Sequence, residues 1–241
     1  MREISELKPN KGKSLLIEVP RKDQWGGKWA RFPIRTHLIT KEDNINKVCL
    51  EYAKPYLKDQ DLLFISERIV AITQGRAFPI KEIRPSRLAK FLVKFVSKSP
   101  YGIGLGSPWT MELAIREAGI LRILLGVFAA ALTKPFGIKG VFYKVVGKNI
   151  NAIDGPCPYT LPPYNEYAKL GPLQPNKVAR DLKEILNCEV VIIDANDLGV
   201  NVLGKSNKKI PDDFCKLVFR DNPLGQSNEQ TPLCIVRKMK E

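Results

Sequence analysis

The chain has 241 residues, 44% of them hydrophobic and 27% charged. These proportions describe a globular protein of one large domain or two small ones and exclude disorder or fibre as an overall class. The 39 Lys and Arg against 25 Asp and Glu give a formal charge of +14, which calls for an anionic partner: nucleic acid, an acidic membrane or a phosphorylated small molecule. In chain order, Ser14–Val19 reads as a short strand and residues 20–31 as a loop carrying Trp25 and Trp29. Ile34–Thr40 reads as a second strand. Asp43 then caps a helix with Ile45, Val48, Cys49, Tyr52 and Ala53 on one face, which ends at Pro55. Leu62–Ile72 reads as a long strand closing in Gln74-Gly75-Arg76. Ser86 caps a helix to about Lys98, and Ser107-Pro108 opens another that Gly119 closes. Ile123–Thr133 is expected to be a buried helix and Val141–Val146 a strand. Asn176–Asn187 has the pattern of an amphipathic helix, Glu189–Asp194 of an apolar strand, and Cys215–Phe219 and Leu233–Arg237 of closing strands. Strands and helices without strict alternation predict a mixed α/β (α+β) fold.

The five cysteines, at 49, 157, 188, 215 and 234, are odd in number and form no CxxC pair. A disulfide framework is not expected, and a reducing compartment is. No apolar stretch follows Met1, so no signal peptide is expected. The longest uncharged apolar run, Ile123–Thr133, is too short for a bilayer that needs about 20 residues. A cytoplasmic protein with no membrane partner is the expectation. The charge is uneven: residues 1–31 carry +4, 32–150 carry +10, 151–200 carry −3 and 201–241 carry +3.

Gly12-Lys13-Ser14 lacks the upstream glycine and strand of a phosphate-binding loop, and Tyr101–Gly106 follows a helix rather than a strand. The lone histidine, His37, has no sequence neighbour that would make it part of a nucleophilic triad or a zinc site. The basic face Arg87, Lys90, Lys94 and Lys98 reads first as a solvated helix face, with phosphate or nucleic acid as the other reading. The acidic island is more informative. Asp154 stands at a strand-to-turn junction before Gly155-Pro156, and Asp194 directly follows the apolar run Val190–Ile193. Two carboxylates fixed at strand ends, with oxygen donors and few soft ligands, suit Mg²⁺ or Mn²⁺; turn-capping aspartates are the alternative. A third polar segment, Gly225 to Pro232, opens on glycine and precedes a strand.

In their order, Thr36-His37-Leu38-Ile39-Thr40, Ile65-Ser66-Glu67-Arg68-Ile69-Val70-Ala71-Ile72-Thr73-Gln74-Gly75-Arg76, Asp154, Asp194-Ala195-Asn196 and Gly225–Pro232 before Cys234-Ile235-Val236-Arg237 resemble the gamma-glutamyl ligases of deazaflavin coenzyme F420. The resemblance spans about residues 33–237 and divides the chain into a basic N-terminal extension, 1–31, and a catalytic unit, 32–241. It implies a two-lobed, intertwined homodimer holding GTP or ATP and a divalent metal. L-glutamate would be joined through an amide to a carboxylate of an anionic cofactor-type acceptor, a deazaflavin precursor or a folate. By position it implies Asp154, Asp194 and Gln226 as metal ligands. Thr36, His37, Leu38, Ile39, Glu67, Arg68 and Gln230 would lie against the nucleotide, and Arg68, Asp154 and Asp194 would be catalytic. The family's lysine falls at Ile72 and its glutamate at Gln74. On a continuous strand Arg68 would stand about 13 Å from residue 72. The other class of function is a basic family member without catalysis that binds nucleotide or nucleic acid.

Overall fold

The computed structural model describes residues 3–21, 23–96, 103–138, 140–147, 149–196, 199–225 and 227–239. In chain order these form β1 (Leu16–Val19), β2 (Gly27–Ile34), α1 (Ile45–Tyr52), β3 (Leu62–Ser66), α2 (Glu67–Thr73), β4 (Ala77–Pro79), α3 (Arg87–Leu92), α4 (Pro108–Ala118), α5 (Ile120–Thr133), α6 (Val141–Val146), β5 (Tyr167–Lys169), α7 (Pro175–Leu186), β6 (Glu189–Asn196), β7 (Gly199–Lys205), α8 (Asp212–Phe219) and β8 (Leu233–Lys238). The architecture is mixed α/β. The chain divides into two compact units, Met1–Gln74 with Leu173–Glu241, and Gly75–Pro172.

The first unit is built on a curled six-stranded sheet in the order β1-β2-β8-β3-β6-β7. All its pairs are antiparallel except β3 with β6. Successive side chains of a strand point to opposite faces. Leu62, Phe64, Val191, Ile193, Cys234 and Val236 join one core with Phe214, Cys215, Val218 and Phe219 of α8, where Phe64 stacks on Phe219 at a centroid distance of 4.4 Å. The alternate residues Leu63, Ile65, Val190, Ile192, Leu233 and Ile235 are also fully buried, on the face that α7 covers along β6 and β7. Strands buried on both faces read as unbroken apolar runs, which is why Leu62–Ile65 and Val190–Ile193 stand out in the sequence.

Gly204, opposite Ile192 in the register, marks how closely α7 approaches. A Cβ there would stand 2.4 Å from the carbonyl carbon of Pro175 and 2.8 Å from the amide nitrogen of Asn176. Backbone cannot rotate away as a side chain can, so Gly204→Ala is expected to cost about 1–3 kcal/mol as overpacking. A urea melt checks it; an unchanged midpoint would mean that α7 sits less tightly than described.

In the second unit, α3 and α4 pack with the antiparallel pair β4–β5 around Ile83, Ala89, Leu92, Met111, Ala114, Ile123, Ile153 and Ala168. Pro108 stands at the first helical position of α4, as the Ser107-Pro108 pair predicts, and Ser107 forms a reciprocal capping box with Thr110.

Several expected elements differ. Gly27–Arg31 belongs to a strand, not a loop, and β2 ends at Ile34, leaving 35–40 irregular. The run 62–72 is β3 followed at once by α2, because the Ser66 side chain accepts from Arg68 N and caps a helix there. The first helix is capped by Asn44 rather than Asp43. Val141–Val146 is helical despite its β-branched residues. Gly126 of α5 leaves room for it, since a Cβ at 126 would lie 2.5 Å from Val146 Cγ2, and tertiary packing overrides propensity. Residues 212–219 are helix rather than strand. The α5 helix is not buried: Leu121 is 78% exposed and Phe128 64%. Lys98 and the Tyr101-Gly102 start of the glycine-rich segment lie outside the described residues. Among the described residues no helix is long and apolar enough to cross a membrane.

Candidate active site

The register places one end of β2, β8, β3 and β6 at a common edge of the sheet. Ile34 pairs with Leu233, Leu233 with Ile65, and Ser66 with Ile193. The chain leaves this edge after β2 into residues 35–44 and after β3 into α2, while β6 runs on past Ile193 through Asp194 to Asn196, still paired with β7. The chain arrives there through 225–232 before β8. At about 4.8 Å per strand step, β2 and β6 are about 14 Å apart across this edge. Thr36, His37, Leu38, Ile39, Glu67, Arg68, Asp194 and Gln230 are therefore gathered along one side of the first unit.

Hydrogen bonds fix the segment after β2. Thr36 is buried; its N–H donates to Gln230 O at 3.0 Å, and its hydroxyl donates to His37 O at 2.8 Å. Arg35 donates to Gln230 Oε1 at 3.1 Å. Gln230 holds φ = 52°, a left-handed conformation uncommon for a residue with a side chain. Ser66 N donates to Pro232 O at 2.8 Å, which ties the same segment to the start of α2. The segment also folds on itself: Gly225 lies at φ = +76° beneath Glu229, whose Oε2 accepts from Ser227 N at 2.8 Å.

His37 has partners that no local motif advertised. Its Nδ1 lies 2.9 Å from the Tyr52 hydroxyl and its Nε2 3.0 Å from Asp43 Oδ1. Asp43 Oδ2 accepts from Thr40 N at 2.7 Å. Burial works to raise the Asp43 carboxyl, but the bonds from Thr40 and His37 hold it below its ordinary value. The histidine thus braces residues 36–43.

In α2, Glu67 is buried and Arg68 half-buried in the first turn. Because this segment is helical, Arg68 and Ile72 stand one turn apart, about 6 Å, on the same helix face. The 13 Å expected on a strand is corrected accordingly. Gln74 binds the Leu173 backbone with both ends of its amide, at 3.1 and 2.7 Å. It joins the two points where the chain leaves and re-enters this unit.

Asp194 is half-buried on β6, paired with Asn201 of β7. Asp154 belongs to the second unit. It forms an isolated antiparallel bridge with Lys169, with N···O distances of 3.1 and 2.9 Å, and its Oδ1 accepts from Gly155 N at 2.9 Å. A Cβ on Gly155 would meet Ile103 Cγ2 at 3.0 Å and Thr110 Cγ2 at 3.2 Å, so the turn is packed closely. Lys169 is buried, and its Nζ donates to Ala152 O at 2.9 Å. Gln226 and Asp197 lie outside the described residues.

Asp194 lies inside β6 rather than at its end, and Asp154 in an isolated bridge outside any strand, which corrects the expected strand-end placement. Both carboxylates are hard oxygen donors of the kind that suits Mg²⁺ or Mn²⁺. Among the described residues no three His, Cys, Asp or Glu side chains are grouped as a metal site. Burial pushes the thiols of Cys188, Cys215 and Cys234 up to about 12, and that of Cys49 up as well. These four are core thiols, not thiolate ligands or nucleophiles.

No curated protein matches the chain. The family model described as F420-0:Gamma-glutamyl ligase matches residues 33–204, from the end of β2 into β7, leaving residues 1–32 and the Gln230 segment outside it. The match covers more than two-thirds of the chain, which therefore belongs to the F420-0:gamma-glutamyl ligase family.

Proposed function

We propose that the protein is a nucleotide- and divalent-metal-dependent ligase that joins L-glutamate through an amide bond to a carboxylate of a cofactor-type acceptor, a deazaflavin coenzyme precursor or a folate. The single observation that carries this reading is the gathering of Thr36–Ile39, Glu67, Arg68, Asp194 and Gln230 at one sheet edge within a chain of this family.

The acceptor carboxylate attacks the γ-phosphorus of GTP or ATP, breaking the β–γ bridge and releasing nucleoside diphosphate. The glutamate amine then displaces phosphate from the acyl phosphate and loses a proton. By the family resemblance Asp154, Asp194 and Gln226 would each be metal ligands, and the metal would neutralise phosphate charge as it shifts. The half-buried Arg68, in the first turn of α2, would counter charge on the transferring group. Thr36, held by Gln230, and His37, held by Asp43 and Tyr52, keep the nucleotide-facing backbone of residues 36–39 in one conformation. Two charges 4 Å apart interact by about 4 kcal/mol at an effective dielectric near 20, so such contacts supply much of the binding. The chemistry needs no histidine as base.

The reading includes a homodimer. Its support is the α5 surface, where Leu121, Leu125, Phe128 and Leu132, followed by Phe136, are each 56–80% exposed. A monomer rarely leaves an apolar stripe of that extent uncovered.

The second reading, a nucleic-acid binder, is favoured by one observation. Exposed Phe91 and Phe95 alternate with Lys90 and Lys94, in a unit with fourteen basic and five acidic residues over 75–172. Aromatic rings among cations suit unstacked bases.

Thermal melts with GTP or ATP, with and without Mn²⁺, separate the two. A metal-dependent rise in melting temperature is expected. No rise with either nucleotide, together with tight DNA or RNA binding that falls steeply with salt, would favour the second reading.

A further inference from the structure

A pocket of about 360 Å³ opens in the first unit between the N-terminal segment and the loop before β8. It is lined by Lys8 and Arg35, Glu6 and Glu229, Asn10 and Asn228, with Leu7, Pro33 and Thr231 completing the wall. Its N-terminal wall lies outside the stretch that matches the family.

The wall is anchored. Asn10 Nδ2 donates to Thr231 Oγ1 at 2.7 Å and to Pro223 O at 2.8 Å. The Thr231 hydroxyl donates onward to Leu224 O at 2.7 Å. Lys13 Nζ donates to Asp221 O at 2.5 Å. Residues 10 and 13 are thereby tied to the loop that carries Gln230, and Arg35 spans from the pocket wall to the Gln230 amide.

The lining selects its ligand by charge. Among the described residues the lining holds two cations and two carboxylates, which sum to zero and disfavour a polyphosphate. No aromatic side chain among the described residues lines the pocket, so a nucleobase has nothing to stack on. A small zwitterion satisfies both signs at once, and the volume falls in the range of ordinary ligand sites. We propose that this pocket binds a free amino acid, its carboxylate on Lys8 and Arg35 and its ammonium group between Glu6 and Glu229. The choice of L-glutamate as that amino acid rests on the ligase reading above. In that case the N-terminal segment is a specificity element for the amine substrate.

Titration calorimetry of L-glutamate into the full chain tests this, with the exposed-residue variants Lys8→Ala and Glu6→Gln, whose side chains make no hydrogen bond or ion pair among the described residues. Saturable binding by the wild type is expected, weakened roughly tenfold by Lys8→Ala, the loss of one charge-assisted contact, and weakened also by Glu6→Gln. Absent binding, or binding that Lys8→Ala leaves unchanged, overturns the proposal. Glutamate transfer measured on the same proteins separates the two readings. Transfer with an unaltered KM for glutamate in Lys8→Ala removes the pocket and leaves the ligase. Binding that responds to Lys8→Ala without transfer to any acceptor keeps the pocket and removes the ligase.

Discussion

Replacing Asp154 or Asp194 by asparagine is expected to abolish the stabilisation that nucleotide with Mn²⁺ confers, and to lower glutamate transfer by at least about 100-fold, since several kcal/mol of charge stabilisation goes with the metal. At a nucleotide concentration of about 100 Kd the wild type gains about 2.7 kcal/mol. For a chain of 241 residues that is a rise of about 5–11 °C, at 2–4 °C per kcal/mol. For Asp154→Asn the unliganded melting temperature should stay nearly in place. Asparagine preserves shape, and its amide oxygen can still accept the Gly155 N–H as Asp154 Oδ1 does. A full ligand-induced shift in both variants would remove these carboxylates from the site.

The second large effect concerns the fold. Arg31 is the largest side chain buried to within 2%, and its guanidinium binds both carboxylate oxygens of Asp221 and the carbonyls of Val218 and Ser14. Burial would raise the Asp221 carboxyl, but Arg31 beside it holds it below the ordinary value. Removing one member of a buried pair costs about 3–5 kcal/mol, because the other charge is left without compensation. The Asp221 side chain is 36% exposed, so water offsets part of that, and about 3 kcal/mol is expected for Asp221→Ala. The corresponding fall in melting temperature is about 6–12 °C. A fall below about 1 °C would show that solvent replaces the pair. The pH dependence follows with a definite sign. The folded-state pKa of Asp221 lies below the unfolded value of about 3.9, so its contribution is present above that value and is lost as pH falls through the folded pKa. Asp43, Glu112 and Glu189 are likewise held low by their hydrogen bonds against the opposing effect of burial. Acid melts of the wild type should therefore steepen below about pH 4, and Asp221→Ala should flatten part of that slope.

Much of this was legible in the sequence where a local rule is strong. Ser107-Pro108 with Gly119 marked α4, and the doubly buried runs of β3 and β6 were plain as apolar stretches. Where two rules competed, tertiary structure decided. Glu67–Thr73 has the composition of a strand, yet a serine cap turns it into α2 and brings Arg68 beside position 72. The β-branched run at 141–146 is helical because Gly126 admits it. The site was legible in part: each segment could be picked out, but only strand register shows that residues 36, 67, 194 and 230 share an edge. His37 with Asp43 and Tyr52 was invisible, since spacings of six and fifteen residues belong to no motif. Arg31 and Asp221 are 190 residues apart, and no local pattern links them. The α5 helix was misjudged because apolar composition shows that a face must be covered, not what covers it.

The most direct test is incubation of the protein with isotopically labelled L-glutamate, GTP or ATP, Mn²⁺ and each acceptor in turn, a deazaflavin coenzyme precursor and a folate, read by mass spectrometry. An acceptor heavier by one or more glutamyl residues, formed only with nucleotide and metal and not by Asp194→Asn, is the expected result. No glutamyl adduct on any acceptor from a protein that is folded and dimeric would contradict the ligase assignment.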